Sequence, residues 1–164
     1  MQQPNLISQL TQYDQFVNWK IMPKDGKSTK PPVNNAGYPI DSQDCDNWKS
    51  YVVARQTSSN VGFVLTDDDP FLFIDLDHVL KNERLCDWAG ELVAALPNTY
   101  TEISPSGDGL HLYYMLNDTP DIPTNKRTFA DGTALEVYYS KRYFTITGDV
   151  YADHPIATVS EGDL

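Results

Sequence analysis

Apolar residues along this chain fall mostly in short runs, many alternating with polar residues and bounded by proline, glycine or asparagine. A period of two predicts strands, and the longer 3.6-residue period predicts helices. Phe16, Val17, Trp19 and Ile21 mark a first strand within residues 14–22, and 24–39 is a Lys/Pro/Asn/Gly loop that can close as a hairpin. Asp44 is placed to cap a helix over 45–56, with Trp48, Tyr51, Val52 and Arg55 at helical spacing. Residues 60–66 and 71–77 read as strands joined by Asp67-Asp68-Asp69-Pro70, an antiparallel hairpin. Asn82 is placed to cap a second helix as far as Leu96, with Leu85, Trp88, Ala89, Leu92, Ala95 and Leu96 as its buried stripe and Pro97 as its stop. Strands at 100–104 and 110–116 flank a glycine-rich turn, a polar loop covers 117–131, and 135–139 with 143–147 make a further hairpin. Beyond Gly148 the chain turns polar and weak order is expected. The pattern is that of an α+β domain with a mostly antiparallel or mixed sheet and flanking helices.

The length of 164 residues fits one domain, and a hydrophobic content of 40% is enough for a real core. The net charge of −11 argues against a generic nucleic-acid coat protein, which would be basic throughout. It leaves room for local basic patches: Lys20, Lys24, Lys27 and Lys30 cluster in one segment, and Lys126/Arg127 and Lys141/Arg142 form pairs. Cys45 and Cys86 are too few for a disulfide framework and neither sits in a CxxC pair, so reduced thiols in a cytoplasmic protein are expected. The polar N-terminus has no signal-peptide pattern, and no apolar run reaches the length of a membrane span.

Candidate chemistry concentrates in three strand-borne segments. In Phe71-Leu72-Phe73-Ile74-Asp75-Leu76-Asp77 an apolar strand ends in two carboxylates spaced i, i+2, which places both on one face. Their repulsion is relieved by a hard divalent cation, and carboxylate-held Mg²⁺ commonly handles phosphates. The bland alternative is a strand running into an acidic turn. In Ser104-Pro105-Ser106-Gly107-Asp108-Gly109-Leu110-His111, Gly107 and Gly109 allow backbone amides to approach a ligand, and His111 lies just inside the next strand. A plain hairpin turn with a structural histidine is the alternative. In the third segment Glu136 interrupts an apolar strand ahead of Arg142. Together these segments supply metal ligands and a phosphate cradle.

The order of these motifs, DxD at 75–77, SxSGxGxH at 104–111, then an acid at 136 followed by Arg142-Tyr143-Phe144-Thr145-Ile146-Thr147-Gly148, resembles the archaeo-eukaryotic primase superfamily. It is most similar to the bifunctional primase/polymerase (prim-pol) domains of phage and plasmid replication proteins. The similarity covers roughly residues 14–150, and Lys30-Pro31-Pro32, Gly37 and Trp48 fit it as well. It implies a primase-polymerase core of RRM-like fold over residues 1–150, with 151–164 as a tail or the start of a linker. It implies that Asp75, Asp77 and Glu136 bind Mg²⁺ or Mn²⁺. His111, Ser104, Ser106 and the Gly107–Gly109 backbone would hold the triphosphate of an NTP or dNTP, and Arg142 would contact nucleotide or template. The implied activity is DNA-directed nucleotidyl transfer on a single-stranded or primed DNA template. The implied protein partner is a helicase or a C-terminal helical domain, and no membrane is involved.

Two other functions fit parts of the sequence. Asp75-Leu76-Asp77-His78-Val79-Leu80 also satisfies the DxDx[TV]L pattern of haloacid-dehalogenase-like phosphatases, with Asp75 as nucleophile and Asp77 as general acid. That fold opens with its DxD strand, whereas some seventy residues precede it here. A degenerate prim-pol that only binds nucleotide or DNA is the third reading. Gly26-Lys27-Ser28 imitates the end of a P-loop, but Ile21 occupies the position of the required first glycine.

Overall fold

The computed structural model describes residues 5–121 and 125–164; residues 1–4 of the polar N-terminus and 122–124 of the expected 117–131 loop lie outside the described residues. In chain order these form α1 (Leu6–Leu10), β1 (Phe16–Trp19), β2 (Met22–Lys24), β3 (Lys27–Thr29), β4 (Pro32–Val33), α2 (Tyr51–Thr57), β5 (Val61–Leu65), β6 (Phe71–Asp77), β7 (Leu80–Lys81), β8 (Arg84–Leu85) and α3 (Asp87–Ala95). There follow β9 (Thr101–Ile103), β10 (Leu110–Leu116), β11 (Asn125–Thr128), β12 (Ala134–Tyr138), β13 (Arg142–Ile146), β14 (Val150–Ala152) and β15 (Ala157–Val159). The architecture is α+β and mostly antiparallel. A four-stranded sheet has the order β13-β5-β1-β4, and a larger sheet runs β11-β12-β6-β10-β9-β14. β15 adds to β10 as a parallel partner. No helix among the described residues is long and apolar enough to cross a membrane.

β6 is central because its sequence suits burial on both faces. Phe71 and Phe73 point into one core with Phe16, Phe63, Tyr113 and Phe144 of the smaller sheet and its neighbours. Leu72, Ile74 and Leu76 point into a second core with Leu110, Leu112 and Ala89 of α3. The larger sheet therefore has α3 on one side and the smaller sheet on the other. Asp75 and Asp77 continue the Phe71/Phe73 face, so they emerge where the space between the two sheets opens.

Both expected hairpins of long strands are absent. β5 pairs with β1 and β13, whereas β6 pairs with β10 and β12. The chain changes sheets at 66–70, a turn fixed by the Asp69 carboxylate, which accepts from the Thr66 N–H at 2.8 Å and the Gln15 amide at 2.9 Å. It changes sheets again between β12 and β13, where Lys141 adopts φ 53°. β6 is apolar enough to need partners on both edges, and its sequence neighbours β5 and β7 supply neither.

The helices are shorter than the periodicity indicates. Over 45–56 the chain makes one 3₁₀ turn, Cys45–Asn47, and only later α2. Lys49 is pulled straight between them, because it exchanges backbone hydrogen bonds with Phe16 at 2.9 and 3.0 Å. Ser50 then caps α2. Asn82 does not cap a helix. With Glu83 it takes positive φ and turns a small hairpin between β7 and β8. The loop expected over 117–131 contains β11, and the segment after Gly148 contributes β14 and β15.

Candidate active site

Register across the larger sheet places five ionisable side chains in one row. Glu102 on β9 is opposite His111 on β10, His111 opposite Asp75 on β6, Asp75 opposite Glu136 on β12, and Glu136 opposite Lys126 on β11. Directly opposed residues project to the same face of a sheet. Asp77 stands one pleat further along β6, on the same face.

Asp75 is the least compensated member. Its Oδ1 is buried without a hydrogen bond, and His111 Nε2, 3.5 Å away, is too distant to supply one. Burial first, then the charges of Asp77 and Glu136, push its pKa up to about 8. Asp77 is pushed up for the same reasons, by burial and then by Glu136. Two neighbouring carboxyls whose ionised forms are disfavoured, one with an orphaned oxygen, are the electrostatic signature of a site suited to a cation. Glu136 behaves differently. Burial pushes it up, but Lys126, the Tyr138 hydroxyl at 2.6 Å and Arg142 at 3.5 Å outweigh that and hold it below its ordinary value. Asp75, Asp77 and Glu136 share a face but do not gather to ligand distance. Among the described residues only Asp44, Cys45 and Asp46 bring three such atoms within 4.8 Å. That exposed group caps its own turn, with Asp44 Oδ1 accepting from the Asp46 N–H.

His111 is almost fully buried, and burial lowers its pKa to about 4. Its Nδ1 lies 3.2 Å from the Thr145 carbonyl oxygen, which only accepts. The ring hydrogen is therefore assigned to Nδ1, and neutral Nε2 is an acceptor. Donation from Nε2 to a phosphate requires the imidazolium.

The 104–109 turn is tied to the end of β6. His78 Nδ1 meets Asp108 Oδ2 at 2.7 Å, Ser106 donates to Asp108 Oδ1 at 2.6 Å, and the Ser104 and Ser106 hydroxyls are 2.9 Å apart. Gly107 takes φ +84°, with its N–H donating to the Ser104 carbonyl inside the turn. A Cβ on Gly109 would lie 2.6 Å from the Leu76 carbonyl oxygen, so that glycine permits the turn to approach β6. A cleft of about 380 Å³ opens over this face. Asp75, Asp77, Ser104, Ser106, His111 and Arg142 all line it.

Residues 11–162 match the family described as bifunctional DNA primase/polymerase, N-terminal. The chain belongs to the Prim-Pol family. It is also 46% identical over 153 residues to a DNA primase-polymerase of Nitratiruptor phage NrS-1, covering 88% of this chain. The chain spans about a fifth (20%) of the length of that relative.

Several residues in and around this Prim-Pol cleft have roles that the sequence did not indicate, and Tyr138, Tyr143 and Phe144, expected as candidates to stack on bases, are among them. Lys30, read from the sequence as part of a local basic cluster, lines the cleft and its charge acts on Asp75 and Asp77. Tyr138 holds Glu136 and lies under Arg142, whose guanidinium carbon is 4.8 Å from the ring centroid. Phe144 belongs to the core, and the Tyr143 hydroxyl donates to the Lys30 carbonyl. Glu102 is 1% exposed and accepts from the Tyr100 and Tyr113 hydroxyls, both at 3.0 Å, and from the Thr147 and Gly148 amides at 2.9 and 3.0 Å. Tyr113 also donates to the Thr145 carbonyl that orients His111. The Tyr-x-Glu spacing of Tyr100 and Glu102 is a local signal; the remaining partners are visible only once strands are paired.

Proposed function

We propose that this chain is the catalytic core of a DNA primase/polymerase, a template-directed nucleotidyltransferase of phage or plasmid replication working in the cytoplasm. The observation that carries the reading is the buried, unpartnered Asp75 Oδ1, in a cleft that Asp77, His111 and Ser104 also line, with Glu136 opposite it on the next strand. The name of the phage relative points the same way. The fold is read as the RRM-like core of such enzymes, with residues 1–150 carrying catalysis and 151–164 leading toward a helical domain or helicase.

In this reading Asp75, Asp77 and Glu136 hold Mg²⁺ or Mn²⁺. The bound ions would supply charge stabilisation for the attacking and leaving oxygens of an in-line displacement. A primer 3′-oxygen attacks the α-phosphorus of an NTP or dNTP, the bond to the bridging oxygen breaks, and pyrophosphate leaves. The Ser104 and Ser106 hydroxyls and the Gly107–Gly109 backbone position the triphosphate, and Arg142 reaches nucleotide or template. His111 grips a phosphate oxygen through Nε2 after protonation, which the triphosphate's own charge favours.

The decisive experiment is primer extension on a DNA template with Mg²⁺ or Mn²⁺, comparing NTPs with dNTPs and wild type with the Asp75→Asn/Asp77→Asn variant. Metal-dependent extension lost in the variant supports the proposal. Nucleotide binding without extension by the wild type would favour a binding module. The phosphatase alternative requires a DxD strand opening an alternating β/α fold, whereas β6 has antiparallel neighbours on both edges.

A further inference from the structure

We propose that Lys126 is a tethered counter-ion of the carboxylate site, resting on Glu136 until a divalent cation replaces it. The proposal rests on the reading of Asp75, Asp77 and Glu136 as metal ligands.

Both oxygens of Glu136 are engaged. Lys126 Nζ contacts Oε1, and the Tyr138 hydroxyl and Arg142 take Oε2 at 2.6 and 3.5 Å. Asp75 Oδ1, one strand over, has no hydrogen bond at all. The internal cations are thus loaded on one end of the carboxylate row. This accounts for three acids that share a face without closing to coordination distance. Lys126 sits on β11, whose only strand partner among the described residues is β12, and its side chain is 56% exposed. A four-carbon stem with a solvated end can swing away without disturbing the sheet. Glu136 cannot, because its side chain is only 3% exposed.

An ammonium and a divalent ion in contact with the same carboxylate repel each other strongly in a half-buried cleft. Lys126 must therefore leave Glu136 when the metal binds. A free cation must offset that displacement with its carboxylate contacts alone. A cation arriving with a nucleoside triphosphate brings a polyanion that gives the released ammonium a new partner. Lys126 thereby couples metal binding to nucleotide.

The test is Mn²⁺ binding by calorimetry, with and without a non-hydrolysable dNTP analogue. The proteins are wild type, Lys126→Met, Lys126→Arg and Asp75→Asn/Asp77→Asn. Lys126→Met should bind Mn²⁺ alone about tenfold more tightly than wild type, a gain of about 1.4 kcal/mol. The extra tightening produced by the nucleotide should shrink in that variant, and Lys126→Arg should stay close to wild type. Unchanged or weaker Mn²⁺ binding by Lys126→Met, with binding lost in Asp75→Asn/Asp77→Asn, overturns the counter-ion role and leaves the metal site standing. Wild-type Mn²⁺ binding by the double variant overturns the metal-site reading and this proposal with it.

Discussion

Asp75 and Glu136 face each other directly across β6 and β12, yet their environments push them in opposite directions. Glu136 has two donors, Lys126 and Tyr138, and an ion pair with Arg142, whereas Asp75 leaves an oxygen bare. The cause is the position of each strand. Glu136 is next to the edge, where Lys126 and Arg142 reach it from the rim. Asp75 is in the middle of the sheet, between an acid and a neutral imidazole.

That asymmetry makes the metal-free protein sensitive to alkali. Folding raises the Asp75 pKa from 3.8 to about 8, so its contribution to stability is full at low pH and is lost as pH rises through about 8. Folding lowers the His111 pKa from 6.5 to about 4, so its contribution is present above 6.5 and is lost as pH falls through about 4. Between pH 6.5 and about 8 only the Asp75 slope of this pair remains, at most about 1.4 kcal/mol per pH unit. Denaturant unfolding in EDTA across this window should show stability falling, and Asp75→Asn should flatten the fall. His78, raised by its hydrogen bond to Asp108, slopes the same way in both proteins, so the difference between them reports Asp75. Parallel curves would show that Asp75 is already ionised.

Replacing both Asp75 and Asp77 with alanine should reduce nucleotide incorporation to background. The same change removes like charges from a partly buried face, so the melting temperature in EDTA should hold or rise. Wild-type incorporation by a folded double variant would refute the catalytic assignment.

His111→Ala should raise the nucleotide KM and lower kcat, with a combined loss of about 10²-fold in kcat/KM. Because Nε2 must gain a proton to donate, the wild-type nucleotide KM should rise with pH while that of His111→Ala stays flatter. Steady-state kinetics across pH checks both statements. Equal profiles would make His111 a purely structural residue.

Lys24 and Lys27 pair across the exposed β2–β3 hairpin, whereas Lys30 enters the cleft. Lys24→Ala/Lys27→Ala should therefore weaken single-stranded DNA binding and make the salt slope shallower by about 1.4, at about 0.7 per phosphate contact. Lys30→Ala should act mainly on nucleotide KM. Fluorescence salt titrations separate the two. An unchanged slope in the double variant removes the hairpin from the DNA path.

Glu102→Ala should destabilise the fold by about 3 kcal/mol, because it leaves the Tyr100 hydroxyl and two backbone amides without an acceptor and Tyr113 with only the Thr145 carbonyl. Glu102→Gln, which keeps one carbonyl oxygen, should cost less. Urea melts of the two variants measure the difference, and a small loss in Glu102→Ala would show that water replaces the carboxylate.

What the sequence made legible was local. The period of two fixes which face a side chain takes, so the shared face of Asp75 and Asp77 could be read directly, as could the strand that places His111 beyond its glycine turn. Pairing between distant strands leaves no mark of that kind. Nothing within 125–128 says that Lys126 lies opposite Glu136, and nothing near Thr147 shows that its amide meets Glu102. The hairpins expected at 60–77 and 135–147 failed for the same reason, since short polar turns serve equally well to change sheets. The helix expected over 45–56 formed only from Tyr51 onward, because two backbone hydrogen bonds to Phe16 outweigh the helical preference around Lys49.

The row from Glu102 to Lys126 has a consequence for how such a protein can change its substrate. His111, Asp75 and Glu136 are spaced by backbone ladders across three adjacent strands, so their separation has the stiffness of the sheet itself. Lys30 and Lys141 project from connecting segments and Arg142 from the first position of its strand, around that rigid floor. On the proposed function, substitutions at the rim would retune which nucleotide or template is accepted while the spacing of the central groups stays the same. The fold thereby keeps the part that must be exact apart from the part that is free to vary.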